Sequence, residues 1–269
     1  IVIDGIKWSY LEGGSPHGPP LLLVHGFGAE KEHWLQFASI LAKRGYRVIC
    51  PDLPGFGESD KHPTSHTSYE ISAQAERVKD FIQALEMSPV HYVGNSMGGY
   101  IGLQLAIDHP GVLKSLSLFN AAGTQGEHPS ELNHMIDRGE NPLVVDTLED
   151  YDNLLSMVAK KPLPVPLPFK KVLLERAKKN ARLHDEIFWE ISRTATETPL
   201  NDQLHKVDVP TLILWGRHDR LIDVSCVDVL DAEIPDSRAI IYEDIGHVPM
   251  MECPKRSARD QLAFLAELR

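Results

Sequence analysis

Short apolar segments alternate with stretches of helical periodicity along most of the chain. The run Leu21–Leu22–Leu23–Val24 is uninterrupted, which is typical of a parallel strand covered on both faces. The pattern predicts strands over residues 6–11, 21–24, 46–50, 90–93, 113–119, 211–215 and 239–242, and helices over residues 31–44, 69–85, 97–108 and 254–268. Strands that alternate with helices need crossover connections, so the fold class is α/β, with a mostly parallel sheet flanked by helices.

This alternation stops between residues 123 and 202, where helical patterns continue without a clear strand. Thr147 and Asp150 have the spacing of a capping box and predict a helix that begins there. Four prolines at every second position from Pro162 to Pro168 predict a stiff, extended connector. Two further helices are expected over residues 170–181 and 184–192.

An all-helical block between the strands of a parallel sheet is typical of an inserted cap, or lid. We therefore expect a core domain made of residues 1–122 and 203–269, with a helical cap over residues 123–202. No internal repeat or low-complexity tract divides the chain further.

Charge and composition exclude several functions. The 269 residues carry 27 Lys and Arg against 38 Asp and Glu, a formal net charge of −11, without the basic cluster that nucleic-acid binding needs. No apolar run approaches the roughly 18 residues of a membrane-spanning helix. Three cysteines without metal-ligand spacing indicate a reducing compartment. We expect a cytoplasmic protein, with contact at a membrane surface as an alternative; because the chain begins at Ile1, a removed upstream segment stays an open alternative too.

The clearest chemical signal is Gly94-Asn95-Ser96-Met97-Gly98-Gly99, between a predicted strand and a predicted helix. Glycines on both sides of one serine permit a sharp strand-to-helix turn that lifts the hydroxyl clear of the backbone. The turn also places Ser96 at a helix N-terminus, where developing negative charge is stabilised. We therefore predict that Ser96 is a catalytic nucleophile.

A serine nucleophile needs a base, and the base needs a carboxylate that orients it. His247 follows the last predicted strand, and Asp219 follows the strand before it. Because loops at the carboxyl ends of parallel strands converge on one edge of the sheet, both residues are expected near Ser96. Asp223 and Asp244 remain rivals for the acid, and His218 is a competing histidine in the same loop.

The oxyanion of an acyl-transfer reaction needs backbone N–H donors. The segment His25-Gly26-Phe27-Gly28 ends the first buried strand, and its glycines let N–H groups point inward. We assign one donor to the N–H of Phe27 and the other to that of Met97. His25 itself is expected to brace the loop.

These residues together resemble the α/β-hydrolase family, whose chain order of serine, acid and histidine matches Ser96, Asp219 and His247. The resemblance covers nearly the whole chain. Within the family, segments 94–99, 219–225 and 246–252 are most similar to cap-bearing monoacylglycerol lipases and small carboxylesterases. Haloalkane dehalogenases and epoxide hydrolases have an aspartate at the nucleophile turn, so Ser96 excludes both.

The resemblance implies a serine ester hydrolase that forms an acyl-enzyme on esters with an acyl chain, monoacylglycerols among them. Two alternatives stay open: a hydrolase of carbon–carbon bonds in ring-cleavage products, and a ligand-sensing receptor on the same fold. The former usually have tryptophan after the catalytic histidine, whereas Val248 follows His247 here. The expected partner is a small-molecule ester, and neither a metal nor an organic cofactor is implied; the oligomeric state is not predicted.

One segment of the predicted cap is basic in an otherwise acidic chain. It has eight cationic residues against the single acid Glu175: Lys160, Lys161, Lys170, Lys171, Arg176, Lys178, Lys179 and Arg182. At helical spacing, Phe169, Val172, Leu173 and Ala177 share one face, and Lys171, Glu175, Lys178 and Arg182 lie on the opposite face. Two interpretations stay open: a helix that packs this apolar face on the core and exposes its charges to water, or a patch that makes weak, salt-sensitive contact with anionic lipid.

Overall fold

The computed structural model describes residues 1–61, 68–161 and 165–268. The strands are β1 (Val2–Ile3), β2 (Ile6–Lys7), β3 (Tyr10–Gly14), β4 (Pro20–Val24), β5 (Arg47–Pro51), β6 (Val90–Asn95), β7 (Leu113–Phe119), β8 (Thr211–Gly216) and β9 (Ser237–Tyr242). The helices are α1 (Leu35–Ala42), α2 (Ile71–Ala84), α3 (Met97–Asp108), α4 (Glu131–Asp137), α5 (Leu148–Val158), α6 (Leu167–Glu197), α7 (Cys226–Glu233), α8 (Pro249–Glu252) and α9 (Pro254–Glu267).

One sheet of seven strands organises the chain, in the order β3-β5-β4-β6-β7-β8-β9. Within this sheet β3 is antiparallel to β5, and the other neighbouring pairs are parallel. The predicted α/β class with a mostly parallel sheet is confirmed.

The continuous apolar run in β4 serves two hydrophobic layers. Leu22 and Val24 pack in the layer that contains residues of α2 and α3. Leu21 and Leu23 point to the other side, where they join residues of α1 and α9. Because successive strand side chains point to opposite faces, a strand buried on both sides is apolar at every position.

The N-terminal prediction is wrong in one respect. The expected single strand over residues 6–11 is divided into β2 and β3. Trp8 is buried, and the N–H of Ser9 donates to the hydroxyl of Ser59 at 2.8 Å. The backbone therefore ends its pairing with β1 before it begins its pairing with β5.

The helical block is present between β7 and β8. The capping box is confirmed, since Thr147 Oγ1 accepts from the N–H of Asp150 at 3.1 Å and the carboxylate of Asp150 accepts from the N–H of Thr147 at 2.9 Å. Pro166 is the N-cap of α6 and Pro168 lies in its first turn, where a missing N–H costs nothing. The prolines at 162 and 164 lie outside the described residues.

The prediction of two helices over residues 170–192 is wrong, because α6 is one helix of 31 residues. Its sequence has no glycine, and no proline after the first turn, so nothing in the backbone interrupts it. Helix α6 is long enough to span a membrane, but its many charged residues make it too polar to do so. In the parts of the chain that the structure describes, no helix is both long and apolar enough to cross a membrane.

Candidate active site

Ser96 occupies the sharp turn between β6 and α3. Its backbone has φ 54° and ψ −119°, a region that residues other than glycine rarely adopt. A Cβ on Gly94 would lie 2.3 Å from the carbonyl oxygen of Gly98, and a Cβ on Gly98 would lie 2.3 Å from that of Val24. Only glycine fits at both positions. The turn thus holds a strained serine at the N-terminus of α3.

His247 and Asp219 form a buried pair at the same edge of the sheet. His247 Nδ1 lies 2.7 Å from Asp219 Oδ2, which also accepts from Asn120 Nδ2 at 2.7 Å. Asp219 Oδ1 accepts from the N–H groups of Leu221 and Ile222, at 2.8 and 3.0 Å. Each carboxylate oxygen thus has two donors, which fixes the carboxylate in place. With Nδ1 bound to the acid, Nε2 is the ring nitrogen left to accept a proton.

The rival residues have other contacts. Asp223 accepts from the backbone N–H of Ser225 beside α7, and Asp244 pairs at the surface with Arg256 at 2.9 Å. His218 is exposed to solvent. Among the candidates that the sequence left open, the geometry therefore favours Asp219 and His247.

Two asparagines join the serine turn to the histidine loop. The buried amide of Asn95, next to Ser96, donates to the carbonyl oxygen of His247 at 3.1 Å. Asn120 Nδ2 donates to Asp219 and also lies 3.3 Å from the carbonyl oxygen of Gly246. Sequence reasoning gave neither asparagine a role. The available signal was position, since Asn95 ends β6 and Asn120 directly follows β7.

The two predicted oxyanion donors are the backbone N–H groups of Phe27 and Met97. Met97 is the first residue of α3, and the first N–H groups of a helix lack an intrahelical acceptor. Within the described parts of the chain, no hydrogen bond uses the N–H of either residue. The loop that carries Phe27 passes close to the serine turn, since a Cβ on Gly26 would lie 2.9 Å from Ser96 Cβ. Neither N–H group is therefore committed to another acceptor among the described residues, as the oxyanion prediction requires.

His25 braces the loop that carries Phe27. Its Nδ1 lies 2.7 Å from the carbonyl oxygen of Gly26, and its Nε2 accepts from the N–H of Leu53 at 3.0 Å. This combination requires the neutral tautomer with the proton on Nδ1. Burial accordingly lowers the pKa of His25 to about 4.

A cavity of about 400 Å³ lies between this edge of the sheet and the helical block, and Ser96, Phe27 and Met97 line its base. Its apolar wall includes Leu132, Ile136, Leu143, Phe188, Ile191 and Leu221. Cys226 also lines it, and burial raises the pKa of this thiol to about 11, so it is protonated at neutral pH. The cavity suits an acyl chain beside the serine.

The formally charged side chains that line the cavity are acidic. Glu127, Asp137 and Asp223 contribute carboxylates, and no lysine or arginine is among the described residues that line it. Glu127 and Asp137 are exposed and Asp223 is half-buried, so these charges lie towards the solvent side. Such a lining repels a substrate that carries its own negative charge.

Comparison with known proteins gives matches over nearly the whole chain. A family model described as the alpha/beta hydrolase fold matches residues 19–254. Lipase 3 of Moraxella sp. (strain TA144) is 35% identical over 262 residues, 97% of this chain and 82% of that protein. Monoacylglycerol lipase ABHD6 of Mus musculus is 30% identical over 275 residues, 98% of this chain and 81% of that protein. The crystal structure of a membrane phospholipase A, a bacterial virulence factor, has a TM-score of 0.95 and 42% identity, and covers 100% of this chain and 85% of that one.

Proposed function

The chain belongs to the α/β-hydrolase family and is an ester hydrolase of the lipase and esterase type. From this premise we propose that it cleaves neutral carboxylic esters with an acyl chain, monoacylglycerols among them. The reaction proceeds through an acyl-Ser96 intermediate. The observation that carries the proposal is the buried His247–Asp219 pair, joined by Asn95 to the serine turn at the base of an apolar cavity.

In the first step, Ser96 Oγ attacks the ester carbonyl carbon while His247 Nε2 takes the hydroxyl proton. Asp219 keeps the ring in the tautomer that leaves Nε2 free and stabilises the imidazolium that forms. The N–H groups of Phe27 and Met97 donate to the oxyanion of the tetrahedral intermediate. His247 then gives the proton to the departing alkoxide, which leaves as the alcohol.

In the second step, water attacks the acyl-Ser96 carbonyl while His247 takes one of its protons. The second tetrahedral intermediate uses the same two N–H donors. Its collapse breaks the bond to Ser96 Oγ, which regains a proton from His247. The acid product and the original enzyme result, so side chains and backbone fill every role.

We further propose that residues 123–202 act as a cap on a core of residues 1–122 and 203–269. Helices α4 and α6 supply part of the cavity wall, through Leu132, Ile136, Phe188 and Ile191. The cap is also attached to the catalytic histidine's loop, because the N–H of His247 donates to the carbonyl oxygen of Val158, the last residue of α5, at 2.8 Å. An acyl chain held under the cap would therefore be aligned with the histidine.

The acidic lining supports a neutral substrate over the ring-cleavage alternative. Ring-cleavage products of the dienoate type are carboxylates, and their binding needs a cation or a set of aligned donors. Glu127, Asp137 and Asp223 bring negative charge to the cavity instead, the same sign as that of the dienoate. A monoacylglycerol has a neutral polar end whose hydroxyls can donate to such carboxylates.

The test compares substrates that differ in charge. A chain-length series of nitrophenyl esters and monoacylglycerols is assayed beside a dienoate ring-cleavage product, with wild type and Ser96→Ala. We expect kcat/KM to favour the neutral esters and Ser96→Ala to abolish turnover while it keeps the fold. Preference for the dienoate would support the carbon–carbon hydrolase instead, and binding of esters without any turnover would support the receptor.

A further inference from the structure

The first four turns of α6 have an exposed apolar surface that the catalytic site does not use. Phe169 is 64% exposed, and Leu167 and Val172 are each 55% exposed, which makes them three of the few large hydrophobic side chains that the described residues present to solvent. From the sequence, Phe169 and Val172 shared a face that one interpretation placed on the core. That interpretation is wrong for these two residues, because both side chains are exposed to solvent.

Cations surround these apolar side chains. Phe169, Val172, Arg176 and Lys179 follow one another at intervals of three or four residues and therefore form a single stripe along the helix. Lys171 lies about 100° around the helix from Val172, and Leu167 begins the helix on the side away from Phe169. We call Leu167, Phe169, Lys171, Val172, Arg176 and Lys179 the α6 surface. Each of its residues is exposed.

The charge on this surface is only partly neutralised within the chain. Arg176 lies 3.6 Å from Glu30, so it has an acidic partner. Lys171 and Lys179 take part in no hydrogen bond or ion pair among the residues that the structure describes. On the neighbouring stripe, Lys178 approaches Asp146 and Glu175 only at 3.9 and 3.8 Å. Lys179 on the stripe and Lys171 on the adjacent side of the helix are thus free to meet an anionic partner.

We infer that the α6 surface docks the protein on anionic lipid bilayers, with Phe169 and Val172 inserted among the acyl chains and Lys171 and Lys179 at the headgroup level. A helix that has bulky apolar side chains next to lysines is suited to lie in the interface between lipid and water, because lysine stems reach past the apolar zone to the headgroups. The inference adds a docking site to the proposed function, and it does not need turnover in order to be tested.

A second copy of the chain fits this surface less well. The three apolar side chains expose on the order of 300 Å², whereas a stable interface takes about 800 Å² per partner. Two α6 surfaces placed face to face would also bring unpaired lysines together. An anionic bilayer instead supplies the opposite charge and an apolar interior. Since the whole chain has a net charge of −11, the attraction is expected to be local and sensitive to salt.

The experiment measures binding to sedimented vesicles in a Ser96→Ala background, so that hydrolysis cannot alter the lipid. In this background, wild type means that the α6 surface is unchanged. The vesicles are phosphatidylcholine alone or phosphatidylcholine with about a third phosphatidylglycerol, at low and physiological salt. The apolar variant is Phe169→Ser with Val172→Ser, and its matched control is Leu35→Ser, an exposed leucine on α1. The charge variant is Lys171→Glu with Lys179→Glu, and its control is Lys43→Glu with Lys114→Glu, two exposed lysines elsewhere.

We expect wild type to bind the anionic vesicles at low salt and to bind them less at physiological salt. The apolar variant should lose about tenfold or more in partition coefficient. Each lysine near an anionic surface raises the partition coefficient by about fivefold. Reversing the charge of two lysines should therefore lower the partition coefficient by at least about 25-fold. Both controls should stay within about twofold of wild type.

Several results would overturn the inference. These are no binding of wild type to anionic vesicles even at low salt, equal losses in the controls, or a wild-type dimer that Phe169→Ser with Val172→Ser dissociates while vesicle binding is absent. The same substitutions in the active enzyme should leave turnover of a soluble acetate ester unchanged, which separates a docking defect from misfolding. A failure of the proposed function would instead abolish ester turnover and leave vesicle binding intact.

Discussion

Replacing Asp219 by asparagine is the most informative change at the proposed triad, because the contacts of this carboxylate are fully defined. Oδ1 accepts from two backbone N–H groups, and Oδ2 accepts from His247 Nδ1 and Asn120 Nδ2. An amide replaces one oxygen by an NH₂ group, which can only donate. Whichever way the new side chain turns, its NH₂ group faces two donors.

The magnitude follows from these contacts. A hydrogen bond to a charged group contributes about 1.5–3 kcal/mol, so two lost bonds cost about 3–6 kcal/mol before the site relaxes. Relaxation is available at His247, because its ring can move the proton to Nε2 and accept the amide N–H at Nδ1. That tautomer cannot take the proton of Ser96. We therefore expect kcat to fall by about 10⁴-fold, as for comparable triad acids, together with a loss of about 3 kcal/mol in the free energy of unfolding.

The assay is kcat for a nitrophenyl ester at slightly alkaline pH, with urea unfolding of the same samples. Asp244→Asn is the matched control, because this carboxylate pairs with Arg256 at the surface, away from His247, and its loss should change kcat by less than about twofold. Asp223→Asn should cost far less than Asp219→Asn. If Asp223→Asn were the crippling change, or if Asp219→Asn kept kcat within tenfold of wild type, the assignment of the acid would be wrong.

Further changes test other parts of the site. His247 must be neutral to accept a proton, so kcat/KM should rise with pH along a single limb, and a flat profile between about pH 5 and 8 would count against it. Because burial lowers the pKa of His25 to about 4, the folded chain binds fewer protons than the unfolded chain between about pH 6.5 and 4; stability should fall by up to about 3 kcal/mol as pH decreases through this window, and His25→Gln should flatten that slope in urea titrations. Asn120→Ala removes one donor to Asp219 and should lower kcat about tenfold with KM unchanged; equal kcat would show that the other three donors suffice. Gly98→Ala puts a Cβ 2.3 Å from a backbone oxygen and should lower both the unfolding midpoint and kcat, whereas unchanged values would mean that the turn can adjust.

The sequence predicts the sheet well where a strand is buried on both faces or a helix has a clear start. Helix α3 and strand β7 have the predicted bounds, and the capping box at Thr147 is present. These elements succeed because one local signal agrees with the burial that the fold imposes. At α6 the apolar periodicity predicted two helices where the structure has one, because the buried face changes along this single helix.

The reacting groups of the candidate site could be predicted from the sequence, whereas the residues that hold them in place could not. Ser96, Asp219 and His247 follow strands whose carboxyl ends meet, so their convergence can be inferred from chain order. Asn95 and Asn120 act through a single amide each, directed at partners more than 90 residues away in the chain. No local pattern encodes such a contact. The exposure of Phe169 likewise depends on which part of α6 the rest of the chain covers, which only the assembled fold decides.

The most direct test of the account is covalent labelling of the native protein with a fluorophosphonate, which reacts with a serine that a neighbouring base has activated. Intact-protein mass spectrometry and peptide mapping should find one label per chain, at Ser96. The labelling rate should collapse in Ser96→Ala and in His247→Gln and stay near wild type in Asp244→Asn. Labelling at another residue, or an unreactive Ser96 in a folded protein that still hydrolyses esters, would contradict the claim that Ser96 is the nucleophile.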